Sequence, residues 1–188
     1  YTKNEVSGLL TSKITNTLNV NPSLVRASNG IPVCKIPGTM RFEDSIFIKA
    51  SCEEVYHFFE KMEAHYLEWH PEHLRFEWRK GNGLKEGNVF YFEEEIGGQL
   101  LKKETHFTDI IPNRYIEFKM VNWFYRWFIP KMTFVFTPEK AGCVFTGQVF
   151  LRGIGPLGKW AHRKEFAAVR QHMKEEGENL KQIIERQS

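Results

Sequence analysis

His172 and Glu176 stand four residues apart, in a stretch without proline from about residue 157 to residue 186. At about 100° per residue, Val169, Met173, Leu180, Ile183 and Ile184 fall in one stripe, and His172 and Glu176 fall inside it. Glu175 and Glu178 point elsewhere, toward solvent. A carboxylate set in an apolar face is costly unless it is paired or bound to a metal. Residues four apart on a helix lie side by side, and one imidazole with one carboxylate suits Zn²⁺ or a similar divalent ion. A buried His–Glu hydrogen bond with a structural role satisfies the same pattern. His162 and Glu165 approach the stripe nearer the helix start, where a cap or a cavity mouth accounts for them.

Three further features carry candidate chemistry. In Trp69-His70-Pro71-Glu72-His73 two histidines flank a proline between a helical and a strand pattern. Proline fixes the local backbone and would hold a ligand histidine in place; two surface histidines beside a turn read the same way. Along Asn88–Ile96, alternation puts Phe90, Phe92, Glu94 and Ile96 on one face and Val89, Tyr91, Glu93 and Glu95 on the other. The first face is the more apolar, so Glu94 is the acid expected to look inward, with Glu104 and His106 as rivals on the next strand. A charged edge strand explains Glu93 and Glu95 well and Glu94 less well. The run Trp123–Phe128 reads as a ring-rich connection between strands, either a lid, a subunit contact or core packing. No phosphate-binding glycine loop is present, and no serine or cysteine has the setting of a nucleophile.

The elements that must position these residues follow from pattern. Ser45–Ala50 reads as a strand, and Ser51 with Glu54 forms a capping box ahead of Val55, Phe58, Phe59 and Met62 at helical spacing. About six strand-like segments between Leu74 and Arg152 are separated by Gly, Pro and Asn turns. One long helix closes the chain. A run of neighbouring strands followed by a helix predicts an α+β domain, with a curved antiparallel sheet wrapped around that helix and a cavity between them. The expected division is an extension over residues 1–43, with a short helix near Val6–Leu18, and a helix-grip domain over residues 44–188.

Composition narrows the function. Aromatic residues make up 14% of the 188-residue chain, enough to line a pocket for a flat apolar ligand as well as to fill a core. A net charge of +3, with the basic residues scattered, speaks against nucleic acid and against an anionic membrane as partners. Cys34, Cys52 and Cys143 form no CxxC and suggest neither a thiolate zinc site nor a disulfide framework, which favours a cytoplasmic setting. No stretch is long and apolar enough to span a bilayer. The chain opens on Tyr1, so an upstream segment, a signal peptide included, stays an open alternative.

The order of elements after Ser45-Ile46-Phe47-Ile48-Lys49-Ala50-Ser51 resembles the START/Bet v 1-like (SRPBCC) superfamily. Within it, Trp69–His73, Phe92–Gly98 and His172–Lys181 resemble the 2,4-diacetylphloroglucinol hydrolase family over residues 44–186. That resemblance implies one zinc ion held by two histidines and two glutamates, which by position are His70, Glu94, His172 and Glu176. It implies hydrolysis of a carbon–carbon bond in an acylated aromatic or β-diketone. The metal would lower the pKa of a bound water to about 7 and polarise the acyl carbonyl. His73 or Tyr66 would supply the proton to the departing carbanion, and Tyr125 would touch the acyl group. The chain is shorter than that family through the middle of the domain, so its substrate is expected to differ. Two other functions fit the same fold. One is a carrier or sensor of an apolar small molecule. The other is a metal-free polyketide cyclase or dehydratase with Glu94 and His172 as acid and base. Under every reading the partner is a small aromatic or polyketide-like molecule.

Overall fold

The computed structural model describes residues 25–26, 32–33, 36, 38–153, 155 and 161–187. The chain divides into two compact units, residues 1–34 and residues 35–188. In the first, strands β1 (Val25–Arg26) and β2 (Pro32–Val33) pair antiparallel. The helix expected near Val6–Leu18 lies outside the described residues.

The second unit opens with β3 (Thr39–Ile48), which starts upstream of the strand expected at Ser45. Two short helices follow, α1 (Cys52–Glu60) and α2 (Met62–Trp69). Then come β4 (His73–Lys80), β5 (Val89–Ile96), β6 (Gln99–Ile111) and β7 (Tyr115–Met120). Helix α3 (Trp123–Phe128) precedes β8 (Lys131–Glu139) and β9 (Gly142–Arg152), and α4 (Arg163–Gln187) ends the described chain. The seven long strands form one antiparallel sheet in the order β3-β9-β8-β7-β6-β5-β4. With α4 laid against it, this is the helix-grip α+β fold.

Local chemistry explains the corners. Ser51 Oγ accepts from the Glu54 N–H at 3.2 Å, and the Glu54 carboxylate accepts from the Ser51 N–H at 2.7 Å, so the expected capping box starts α1. Gly97 and Gly98, both at positive φ, join β5 to β6 in a two-residue turn. A Cβ at Gly97 would lie 2.9 Å from Ala168 Cβ, so this glycine also lets the turn close on α4. Gly177 does the same for α4 and β3: a Cβ there would meet Asp44 Oδ2 at 3.3 Å and Ile46 Cγ2 at 3.5 Å.

The core lies between the concave face of the sheet and helices α1, α2 and α4. Phe42 and Ile48 of β3, Phe90 and Phe92 of β5, Phe118 of β7, Phe136 of β8 and Phe145 of β9 are all buried. Leu180 and Ile184 of α4 are buried as the helical stripe requires.

Two expectations need correction. Trp123–Phe128 is a helix capped by the Asn122 side chain, which accepts from the Phe124 N–H at 2.9 Å; none of its residues is buried, so it is not core packing. Cys52 and Cys143 are joined as a disulfide, with Cα atoms 5.1 Å apart across a separation of 91 residues. Spacing along the chain gave no hint of this pair, because the fold brings the start of α1 to the start of β9. That bond also removes the ground on which the cytoplasmic setting was expected.

Candidate functional site

Helix α2 ends at Trp69, because Pro71 cannot continue it and disfavours helical backbone at His70. The chain then turns sharply, with the His73 N–H donating to the His70 carbonyl at 3.0 Å. That turn carries His70, Glu72 and His73 to the edge of the sheet beside Glu94, which pairs with His73 in register. Helix α4 comes from the other side and brings His172, Glu175 and Glu176. Trp69 Nε1–H fastens the two sides by donating to the Glu176 carbonyl at 2.9 Å.

His70, His73, Glu94 and His172 are all buried, and the three imidazoles offer ligand atoms within 4.8 Å of one another. Partners on the outer nitrogens fix the tautomers. His172 Nδ1–H donates to Glu72 Oε2 at 2.7 Å, and His73 Nδ1–H donates to the Tyr66 carbonyl at 2.9 Å. The inner nitrogens are turned toward the carboxylates of β5 and α4. His73 Nε2 lies 3.1 Å from Glu176 Oε1, and His172 Nε2 lies 3.6 Å from the same oxygen and 3.8 Å from Glu94 Oε2. His172 Nε2 is buried with no hydrogen-bond partner. His70 is turned differently. Its Nδ1 accepts from the Glu72 N–H at 3.1 Å, and its Nε2–H faces Glu175 at 3.3 Å. Burial, then the neighbouring His172 and His73, push its pKa below the ordinary value.

Burial opposes ionisation of Glu94, yet the Lys103 ammonium, which bonds its Oε1, and the His172 and His73 rings hold its carboxyl below the usual range. Tyr66 stacks on His73 with ring centroids 4.1 Å apart. Its hydroxyl is buried and unpartnered. Burial first, then Glu94 and Glu176, raise its pKa far above that of an ordinary phenol.

The cluster opens on a cavity of about 790 Å³. Glu94, His172, Glu176, Tyr66 and Lys103 line it together with a mostly aromatic and aliphatic wall. Tyr125 lines it too, but from the exposed helix α3. Glu104 and His106 pair with Tyr91 and Val89, on the face opposite Glu94, and do not join the cluster. His162 and Glu165 are exposed, and Glu165 lines the cavity. Sequence reasoning missed Glu72, Lys103 and the inward role of Glu175. Lys103 had a signal, since it shares a face with Leu101 and sits directly across from Phe92. Glu72 had none beyond its place between two histidines.

With this geometry in view, residues 39–185 match the sequence profile of the family described as polyketide cyclase/dehydrase and lipid transport. The chain belongs to that family. No curated protein matches the chain in sequence. Among solved structures, TTHA0849 from Thermus thermophilus superposes with a TM-score of 0.64 at 14% identity, covering 79% of this chain and 99% of that one. The Zhui aromatase/cyclase from Streptomyces sp. R1128 superposes with a TM-score of 0.60 at 16% identity, covering 79% and 95%. Ara h 8.0201 superposes with a TM-score of 0.58 at 14% identity, covering 78% and 98%. At these identities the likeness shows the fold alone. The family match leaves the narrower resemblance to diacetylphloroglucinol hydrolases without support of its own, and no described helix is long and apolar enough to cross a membrane.

Proposed function

We propose that the protein is an enzyme that takes a polyketide-like or acylated aromatic compound into the cavity and activates one of its carbonyl groups at the His–Glu cluster. The observation that carries this is His172 Nε2, buried without a hydrogen bond and facing two carboxylates where the cluster meets the cavity. A carrier of an apolar molecule gains nothing from such a group, and burying one unpaired costs stability.

Each side chain has a role in that reading. Glu72 and the Tyr66 carbonyl hold His172 and His73 with their inner nitrogens turned toward Glu94 and Glu176. Lys103 keeps Glu94 ionised, so that Glu94 can draw a proton from the carbon next to the carbonyl. The Tyr66 phenol stays protonated and donates a hydrogen bond to the oxygen on which charge develops. His70 buttresses the turn and keeps Glu175 close.

The same donor set fits one divalent cation. Two ligands each about 2.0–2.1 Å from a tetrahedral zinc lie roughly 3.3 Å apart, near the separations of 3.1, 3.6 and 3.8 Å that link His73, His172, Glu176 and Glu94. Four carboxylates, Glu72, Glu94, Glu175 and Glu176, face one ammonium, Lys103, so the cluster has negative charge to spare for a cation. His73, Glu94, His172 and Glu176 would hold the ion, with His73 in place of His70, whose Nδ1 already accepts from the backbone. When bound, a cation supplies polarisation of the carbonyl and a water of lowered pKa, the requirements of carbon–carbon bond hydrolysis. The family description and the aromatase/cyclase fold favour a second reading, metal-free cyclisation or dehydration with Glu94 and His172 as the acid–base pair. Both begin by activating a carbonyl.

One experiment separates them. Metal content of the native protein is measured by plasma mass spectrometry, and turnover of acylated phenols, β-diketones and poly-β-ketones is followed with and without chelator. Near-stoichiometric metal, lost in His172→Ala and Glu176→Ala together with chelator-sensitive turnover, supports the hydrolase. Turnover untouched by chelator supports the cyclase. A compound retained unchanged, with no turnover of any class, defeats the enzyme reading and leaves a carrier.

A further inference from the structure

Of the ten large hydrophobic residues that stand exposed among the described residues, six fall between Val121 and Phe128. Trp123 is 72% exposed and Tyr125 57%. Five rings therefore crowd a six-residue helix, about 9 Å long at 1.5 Å per residue. They spread over more than one face of it, and no residue of α3 is buried. A rigid protein partner covers one face of so short a helix. A fluid medium covers all of them at once.

Basic residues stand nearby, with Lys119 paired to Glu117 at 2.9 Å. Arg126 lies in the last turn of α3. Arg126 and Lys119 sit close enough to His106 to join burial in lowering its pKa. Trp127 lies over Gly153, next to Arg152. Glu104 is the acidic residue at the start of the helix, its carbonyl accepting from the Val121 N–H at 2.9 Å. Rings of Trp and Tyr beside arginine are the composition that settles at the boundary between headgroups and acyl chains. Asn122, Tyr125 and Ile129 also line the cavity, as does Leu100, itself 51% exposed, so the ring-bearing helix borders the opening of the ligand chamber.

We infer that α3 docks the protein on the surface of a lipid bilayer, with the cavity opening turned to the membrane so that an apolar ligand enters directly from lipid. The insertion depth of such elements, about 5–10 Å, matches the size of the helix. The net charge of +3 is too small to drive docking by itself, so the rings provide the attraction and Arg126 adds a preference for anionic lipid.

Flotation of the full chain with vesicles tests this, using phosphatidylcholine alone and phosphatidylcholine mixed with phosphatidylserine. The wild type is expected to float with both and more strongly with the second. The double variant Trp123→Ser/Trp127→Ser, which leaves Tyr125 in place, is expected to bind about tenfold less or worse, with an unchanged melting curve as proof of folding. Arg126→Glu is expected to lose only the preference for phosphatidylserine. No flotation with either vesicle, or flotation that the double variant retains, overturns the inference. So does a concentration-dependent dimer that the double variant abolishes in the absence of vesicle binding, which would make α3 a contact between copies. None of these readouts involves turnover, so failure here is distinct from failure of the proposed enzyme.

Discussion

Tyr66 keeps a phenol hydroxyl in the interior with no hydrogen-bond partner from the protein. An unsatisfied buried hydroxyl costs about 1–3 kcal/mol, and a native structure that tolerates one has a use for it. Tyr66→Phe is therefore expected to raise the unfolding free energy by about 1 kcal/mol in urea titrations while lowering turnover, because the donor to the substrate oxygen is gone. A Phe variant that is less stable and fully active would remove Tyr66 from the chemistry. Glu72→Gln tests the support behind His172. An outer partner of a ligating histidine typically matters about 10–100-fold in metal affinity or activity, and that loss is expected here at an unchanged melting temperature. The residues legible in the sequence were those whose neighbours lie on their own element. His172 and Glu176 betrayed themselves by sharing an apolar helical stripe, and Glu94 by alternating with Phe90 and Phe92. Glu72 stayed hidden because its partner His172 is 100 residues away, and no periodicity crosses that distance. His70 and His73 differ in which ring nitrogen faces the local backbone, and spacing along the chain does not reveal that.

At the level of elements, the approach of α4 to β3 is set by a missing side chain. Gly177 is buried where a Cβ already crowds Asp44 and Ile46. Gly177→Val is expected to cost about 1–3 kcal/mol by overpacking and, by lifting α4, to lower activity as well, both read from one purified variant by denaturation and assay. Helix α3 shows where pattern reading fails. By pattern the ring-rich run reads only as a connection between strands, because so short a helix has too few residues for its period to show. What decides it is Asn122, whose carboxamide accepts from two successive backbone N–H groups and starts the turn. The sheet was legible because its corners carry Gly97-Gly98 and Pro112-Asn113, and the positive φ values fall on three of those four residues.

Across the whole molecule, two features outside the site govern stability. The Cys52–Cys143 bond closes a loop with a separation of 91 residues. Constraining a loop of that size contributes about 2–4 kcal/mol in practice, so dithiothreitol, or Cys52→Ser, is expected to lower the unfolding free energy by that amount and the denaturation midpoint with it. An unchanged midpoint would mean that the two thiols do not pair in solution. The second feature is Glu117. Although burial opposes its ionisation, Lys119, Lys131 and Thr108 hold its pKa at about 2, against an ordinary value of 4.5. A depressed carboxylate stabilises the fold fully above its unfolded value and loses that contribution as the pH falls toward the folded one. The stability is thus expected to drop by up to about 3 kcal/mol between pH 5 and about 2 on this account. Glu117→Gln should flatten that part of the pH curve, with a lower plateau at neutral pH because Lys131 is left buried alone.

The sheet and the reacting groups are not finished at the same moment of synthesis. All seven long strands have emerged by Arg152, and with them Glu94, His70 and His73, whereas His172 and Glu176 come with the final helix. A chain stopped before Arg163 lacks both the wall that Phe166, Val169 and Met173 of α4 supply and the His172 and Glu176 side chains. During synthesis, closure of the chamber therefore waits for the last helix to emerge.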